Sequence, residues 1–149
     1  MSARILVADD EDSLRWVLEK GLHQAGYEVT AVKDGAAAVR AVEAEPFDLV
    51  LLDVRMPGMD GLTALGKMRE LRPTASIVVM TAHGTMETAI QAMQRGAYDY
   101  LGKPFDLDEA VLLAERALAA ARLTEEVVRL KSGLKEVWEF GSLIGRSIV

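Results

Sequence analysis

Two hydrophobic periodicities take turns along the first 120 residues. Short runs at residues 5–8, 49–52 and 77–80 are apolar at every position, the pattern of strands covered on both faces. The run at 28–32 alternates apolar and polar residues and is placed at a sheet edge, and a further strand-like run spans 98–101. Between these runs lie segments with helical spacing at 13–25, 35–44, 61–71 and 85–95, and a fifth helix begins near Leu107. In the first helix Leu14, Leu18 and Leu22 repeat every four residues and form one apolar stripe. Gly26 and Gly96 stand where the first and fourth helices should stop. Asp106 and Glu109 have the spacing of a capping box at the start of the fifth. Strand and helix alternating five times predict an α/β domain: a parallel sheet with right-handed crossovers and helices on both faces.

Beyond Ala119 the texture changes. Leu123, Val127, Leu130, Leu134 and Val137 step by 4, 3, 4 and 3, a heptad seam interleaved with charged residues. Leu107, Val111, Ala114 and Leu118 step the same way in a different phase, so the helix either shifts its face or breaks between 119 and 122. Two readings of the seam stay open: a coiled coil, or an amphipathic helix packing on its own domain. Gly133 sits inside the seam and weakens it. The chain is thus divided into a domain at 1–120, a helical linker at 121–140 that is a candidate dimerisation element, and a short tail at 141–149.

A net charge of −6 argues against nucleic-acid binding by this chain, because phosphate backbones attract clustered Lys and Arg. The absence of cysteine excludes a disulfide scaffold and thiolate metal sites, and agrees with a reducing cytoplasm. No apolar run approaches a membrane span, and residues 1–4 lead into the first strand without a signal-peptide layout.

In open parallel sheets function gathers at the carboxyl ends of the strands. The residues standing there are Asp9 and Asp10 after the first run, Asp53 after the third, Thr81 after the fourth, and Lys103 and Pro104 after the fifth. Three neighbouring carboxylates repel one another unless a cation is present. Hard oxygen ligands of this kind suit Mg2+, which would neutralise an incoming phosphoryl group and align it with a carboxylate nucleophile. Phosphoryl transfer asks chiefly for positioning and charge neutralisation. Lys103 offers a point charge and Thr81 a hydroxyl. Each residue taken singly has a plainer role: Asp as turn residue or helix cap, Lys as a solvated surface charge. Their coincidence at one end of parallel strands is hard to attribute to turns.

The strings LVADDEDSLR, LVLLDVRMPGMDG, IVVMTAHG and YDYLGKPF, in this order and spacing, strongly resemble the receiver domain of two-component response regulators over residues 4–119. The resemblance implies a flavodoxin-like (βα)5 sandwich with strand order 2-1-3-4-5 and a sensor histidine kinase as phosphoryl donor. It also implies the roles. Asp53 looks like the phosphoacceptor, and Asp9 and Asp10 like the pair that holds Mg2+ with Asp53 and the Arg55 backbone carbonyl. Thr81 looks like the switch hydroxyl, Lys103 like the phosphate-pairing lysine and Tyr100 like the switch aromatic. Ala82 matches the small residue that gives the phosphoryl group access, Pro104 a proline preceded by a cis peptide, and Met56-Pro57-Gly58 the turn behind the acceptor. Arg55 and His83 match positions that tune phosphoryl lifetime.

The tail Leu143-Ile144-Gly145-Arg146-Ser147 resembles the entry to the AAA+ ATPase domain of NtrC-type activators, which drive sigma-54 RNA polymerase. Residues 148–149 depart from that pattern, and the sequence contains no Walker A loop. The resemblance implies a homodimeric regulatory fragment whose ATPase and DNA-binding output domains lie outside the sequence, and which catalyses only its own phosphorylation and dephosphorylation. Two competing readings remain: a hydrolase with an aspartyl nucleophile, disfavoured because Arg55 occupies the place of the second acid, and a constitutive dimerisation module with a vestigial site. His23 is read as a solvated residue, Trp16 as a packing residue, and the stripe Met86, Ile90, Met93 as core rather than interface, although the resemblance makes the fourth helix part of the signalling face.

Overall fold

The computed structural model describes residues 2–56, 58–82 and 86–141, with side chains through residue 130. Pro57, His83 and the tail at 142–149, including Leu143-Ile144-Gly145-Arg146-Ser147, lie outside the described residues.

Five parallel strands alternate with five helices: β1 Arg4–Ala8, α1 Asp12–Gln24, β2 Glu28–Val32, α2 Gly35–Ala44, β3 Leu49–Asp53, α3 Gly61–Leu71, β4 Ser76–Thr81, α4 Met86–Gln94, β5 Asp99–Gly102 and α5 Leu107–Gly141. The strand order is β2-β1-β3-β4-β5, the flavodoxin-like arrangement. The strands apolar at every position, in β1, β3 and β4, are the three inner ones and are buried on both faces. The alternating strand, β2, lies at an edge and is only partly covered.

Two cores follow from the two faces. Leu6, Val50, Leu52, Ile77 and Val79 point to one side and pack against α2, α3 and α4 through Ala38, Val42, Ala64, Leu65, Met68 and Ala92. Ile5, Val7, Leu49, Leu51, Val78 and Met80 point to the other and meet Leu18 and Leu22 of α1 and Ala110, Leu113, Ala114 and Ala117 of α5. Gly26 and Gly96 end α1 and α4 in the left-handed region, both at φ +101°.

Two expectations are corrected. Met86, Ile90 and Met93 are exposed rather than core, and α4 instead buries Ala89 and Ala92. Small residues let the helix approach the sheet closely, which leaves its bulkier apolar stripe outside. Trp16 is 60% exposed rather than packed inside, because α1 turns Leu18 and Leu22 inward and position 16 falls roughly opposite Leu18 at about 100° per residue. Lys20 Nζ stands 4.8 Å from its ring centroid. His23 is exposed.

Helix α5 runs unbroken through 119–122. Its inward stripe ends at Ala121. Leu123, Val127 and Leu130 emerge on roughly the opposite side at about 100° per residue and are 67%, 47% and 59% exposed. The face shifts, then, and the helix does not break. Among the described residues, the seam does not pack on its own domain.

One buried polar contact ties β4 to this helix: Ser76 Oγ donates to the Ala117 carbonyl at 2.7 Å. Ser76→Ala removes the donor and leaves a carbonyl that helix geometry still supplies with an N–H. The expected cost is about 1 kcal/mol, measured as a shift of the urea midpoint at constant m-value. No helix among the described residues is long and apolar enough to cross a membrane.

Candidate functional site

The carboxyl ends of β1, β3 and β5 deliver charged side chains to one place. Asp9, the residue after β1, is fully buried, and Asp53, the last of β3, is nearly so. Lys103, just past β5, donates from Nζ to Asp9 Oδ2 at 2.7 Å and to Asp53 Oδ2 at 3.3 Å. Asp10 is exposed beside them, and one carboxylate oxygen from each of Asp9, Asp10 and Asp53 lies within 4.8 Å of the others.

Local backbone geometry holds each group. Asp9 Oδ1 accepts the Glu11 N–H at 2.8 Å, which folds the β1–α1 loop back on the carboxylate. Asp53 Oδ1 accepts the Arg55 N–H at 3.0 Å. The β3–α3 loop returns so closely that a Cβ on Gly61 would stand 2.4 Å from Val54 Cα and 2.5 Å from the Asp53 carbonyl oxygen, so only glycine fits there. Asp60 then caps α3 through the Thr63 N–H. On the far side the Lys103–Pro104 peptide is cis, and the Lys103 N–H donates to the Thr81 carbonyl at 2.7 Å.

Thr81 is buried at the end of β4, paired in register with Gly102 and next to Met80, which pairs with Asp53. Ala82 lies with Glu11, Leu14, Lys103, Pro104 and Phe105 around an open depression of about 330 Å3 beside the lysine. Tyr100 does not enter the acid cluster: it lies on β5 and is 38% exposed. The Arg55 side chain is exposed, and its N–H rather than its side chain contacts Asp53.

The electrostatics follow from burial. Burial pushes the Asp53 carboxyl above the usual aspartate range; the Asp9 charge adds to this, while the Arg55 N–H and Lys103 oppose it. Burial by itself would lower the Lys103 ammonium, but its hydrogen bond to Asp9 and the charges of both acids outweigh that and hold it above the usual lysine value. The site gathers three carboxyl groups around one ammonium, a surplus of acids over bases. That surplus, an all-oxygen donor set and an open mouth fit a small hard divalent cation such as Mg2+.

The sequence missed Arg15. Its Nη1 donates to the Asp9 carbonyl at 2.7 Å and its Nη2 pairs with Asp12 Oδ1. Only the Asp12–Arg15 spacing of three hinted at a helical ion pair, and nothing in a strand-end pattern points to a backbone carbonyl six residues upstream.

Residues 5–115 match the response regulator receiver domain family. The chain is 46% identical over 115 residues to the DNA-binding transcriptional regulator NtrC of Escherichia coli, covering 77% of this chain and 24% of that protein. It is 38% identical over 144 residues to the regulatory protein AtoC of Escherichia coli, covering 97% of this chain and 31% of that protein. Among solved structures, NtrX from Brucella abortus in complex with ADP matches at 39% identity and a TM-score of 0.82, over 87% of this chain and 30% of that one. A CheY-like receiver from Methanospirillum hungatei matches at 26% identity and a TM-score of 0.78, over 82% of this chain and 98% of that one. The chain therefore spans about a quarter to a third of the length of the curated relatives it matches.

Proposed function

The chain belongs to the response regulator receiver family, as a receiver domain of the NtrC type, and from that premise we propose that it is a phosphorylation switch whose acceptor is Asp53. The observation that carries the reading is the single ammonium of Lys103 shared between Asp9 and Asp53. Such a site holds a buried acid as nucleophile beside an ammonium able to meet a phosphoryl oxygen.

In this proposal Asp9, Asp10, Asp53 and the Arg55 carbonyl hold Mg2+. The bound ion supplies charge neutralisation for the phosphoryl oxygens. An Asp53 carboxylate oxygen attacks the phosphorus of a phosphohistidine on a sensor kinase, the P–N bond breaks, and an aspartyl phosphate forms. The product adds close to two negative charges. Lys103 pairs with one phosphoryl oxygen and the Thr81 hydroxyl donates to another. Drawing Thr81 inward biases α4, with its exposed face of Met86, Ile90 and Met93, and the exposed Tyr100 between two arrangements. The chain turns nothing over but its own phosphorylation and its hydrolysis, and it works in the cytoplasm without touching nucleic acid itself.

The test is Mg2+-dependent labelling by acetyl phosphate, read by intact mass. One phosphoryl group per chain is expected, and no uptake in the presence of Mg2+ overturns the reading.

The continuous α5 supports a second part of the proposal. Residues 121–140 form a linker that dimerises two receivers through Leu123, Val127 and Leu130, and phosphorylation changes the packing of that dimer to control ATPase and DNA-binding domains in a sigma-54 activator. Leu123, Val127 and Leu130 are exposed, while the side chains of Leu134 and Val137 lie outside the described residues, so Leu123→Glu with Val127→Glu should leave receiver stability within about 0.5 kcal/mol. The same pair should convert a dimer to a monomer in sedimentation equilibrium. A wild-type chain that sediments as a monomer at all concentrations, with and without phosphorylation, removes the linker from the account.

A further inference from the structure

The β1–α1 loop carries two of the three clustered acids, yet Asp10 is exposed and Asp9 spends one oxygen on the Glu11 N–H and the other on Lys103. The loop itself is short, lying between Ala8 at the end of β1 and Asp12 at the start of α1. Arg15 reaches back across it from the first turns of α1. One arm of the guanidinium donates to the Asp9 carbonyl, and the other pairs with Asp12, the first residue of the helix. The two contacts bracket residues 9–12, and the Arg15 side chain is only 19% exposed. The planar fork makes the two contacts from two separate nitrogens in a fixed geometry, which the single nitrogen of a lysine does not reproduce.

We infer that Arg15 is a positioning residue for cation uptake: its guanidinium clasps both ends of the β1–α1 loop and so holds the Asp9 and Asp10 carboxylates in place for the divalent ion. The inference rests on the proposed Mg2+ role of those acids. Arg15 touches neither carboxylate of the pair, and its contacts are a backbone carbonyl and Asp12.

The sign of the effect separates this role from a plain charge effect. A cation beside a cation site weakens uptake by Coulomb repulsion, so removing Arg15 as a mere charge would tighten Mg2+ binding. Removing a clasp loosens it. Partners that orient metal ligands typically contribute tenfold or more in affinity, so Arg15→Ala should raise the Mg2+ dissociation constant roughly tenfold.

The experiment has two readouts on the metal-free protein. Isothermal titration of Mg2+ gives the dissociation constant for the wild type, Arg15→Ala and Arg15→Lys. Amide hydrogen exchange in EDTA at Asp10 and Glu11 reports whether the loop is held before any ion arrives. Weaker Mg2+ binding together with faster exchange at those amides is expected in both variants. Unchanged or tighter binding in Arg15→Ala, or unchanged exchange, overturns the inference. Should Arg15→Ala fail to fold, Arg15→Lys decides: it keeps the charge and lacks the fork, so wild-type affinity and exchange there overturn the inference as well. A wild-type protein that takes up no Mg2+ sinks the functional reading itself, and the exchange rates then still decide whether Arg15 holds the loop.

Discussion

Replacing Asp53 by Asn should abolish labelling by acetyl phosphate altogether and at the same time raise the thermal midpoint of the metal-free protein. The first effect follows from chemistry: an amide is no nucleophile toward phosphorus. The second follows from burial. The folded-state pKa of Asp53 is raised above 3.8, first by desolvation and then by the Asp9 charge. A raised carboxyl contributes stability that is fully present below the unfolded value and is lost as pH rises through the folded one. At neutral pH, well above the unfolded value, that stability is forfeited, so Asp53 costs the fold. Asparagine keeps an oxygen for the Arg55 N–H and removes the charge, while Lys103 keeps its shorter bond to Asp9. For a chain of this length each kcal/mol relieved raises the midpoint by roughly 4 °C. In EDTA at pH 7 the variant should melt above the wild type. Added Mg2+ should narrow or reverse the gap, because the wild type has the extra ligand and gains more from binding. A variant that still takes up one phosphoryl group removes Asp53 as acceptor. A variant that melts below the wild type in EDTA contradicts the electrostatic account of the pocket.

The parts of the fold legible in sequence are those where one physical signal dominates. Three runs with no polar position mark the inner strands because helices cover both of their faces, and the alternating run at 28–32 marks an edge because one of its faces is left partly open. Helix α4 misled because it has apolar residues on two sides. Periodicity shows that Met86, Ile90 and Met93 share a face, and only the close packing of Ala89 and Ala92 decides which face goes inside. The 119–122 stretch looked like a possible break because the seam changes phase there. Its composition points the other way, since Ala117 and Ala119–121 are strong helix formers and carry α5 across while the face rotates.

The acids and the lysine could be found because strand ends are a place where function collects, and the sequence shows what stands there. Arg15, the Glu11 N–H and the fit of Gly61 against Asp53 could not. Each is a contact with backbone, and a backbone atom has no signature in the sequence.

Replacing Lys103 by Met should have the largest effect on stability at the site, with a pH dependence that identifies its cause. Asp9 and Asp53 are 0% and 6% exposed in their side chains, and among the described residues Lys103 is the one cation hydrogen-bonded to both. Removing one partner of a buried pair leaves the other charge uncompensated, a loss of about 3 kcal/mol. The Lys103 pKa is raised above 10.5 by Asp9 and Asp53 against the opposing pull of burial, so its contribution is fully present below 10.5 and is lost as pH rises through the higher folded value. The loss in the variant should therefore be largest near neutrality. It should shrink in alkali, where the wild type loses its ammonium, and in acid, where Asp53 takes a proton. A difference between the two proteins that stays constant with pH would mean that Lys103 matters only for packing. Mg2+ adds a second discriminator. The ammonium and the ion compete for the same carboxylates, so Lys103→Met should bind Mg2+ more tightly than the wild type and recover stability on binding it. Loss of Arg15 is expected to move the affinity the other way. Two basic residues beside one acid cluster then give opposite signs, because one occupies the carboxylates and the other holds the loop that presents them.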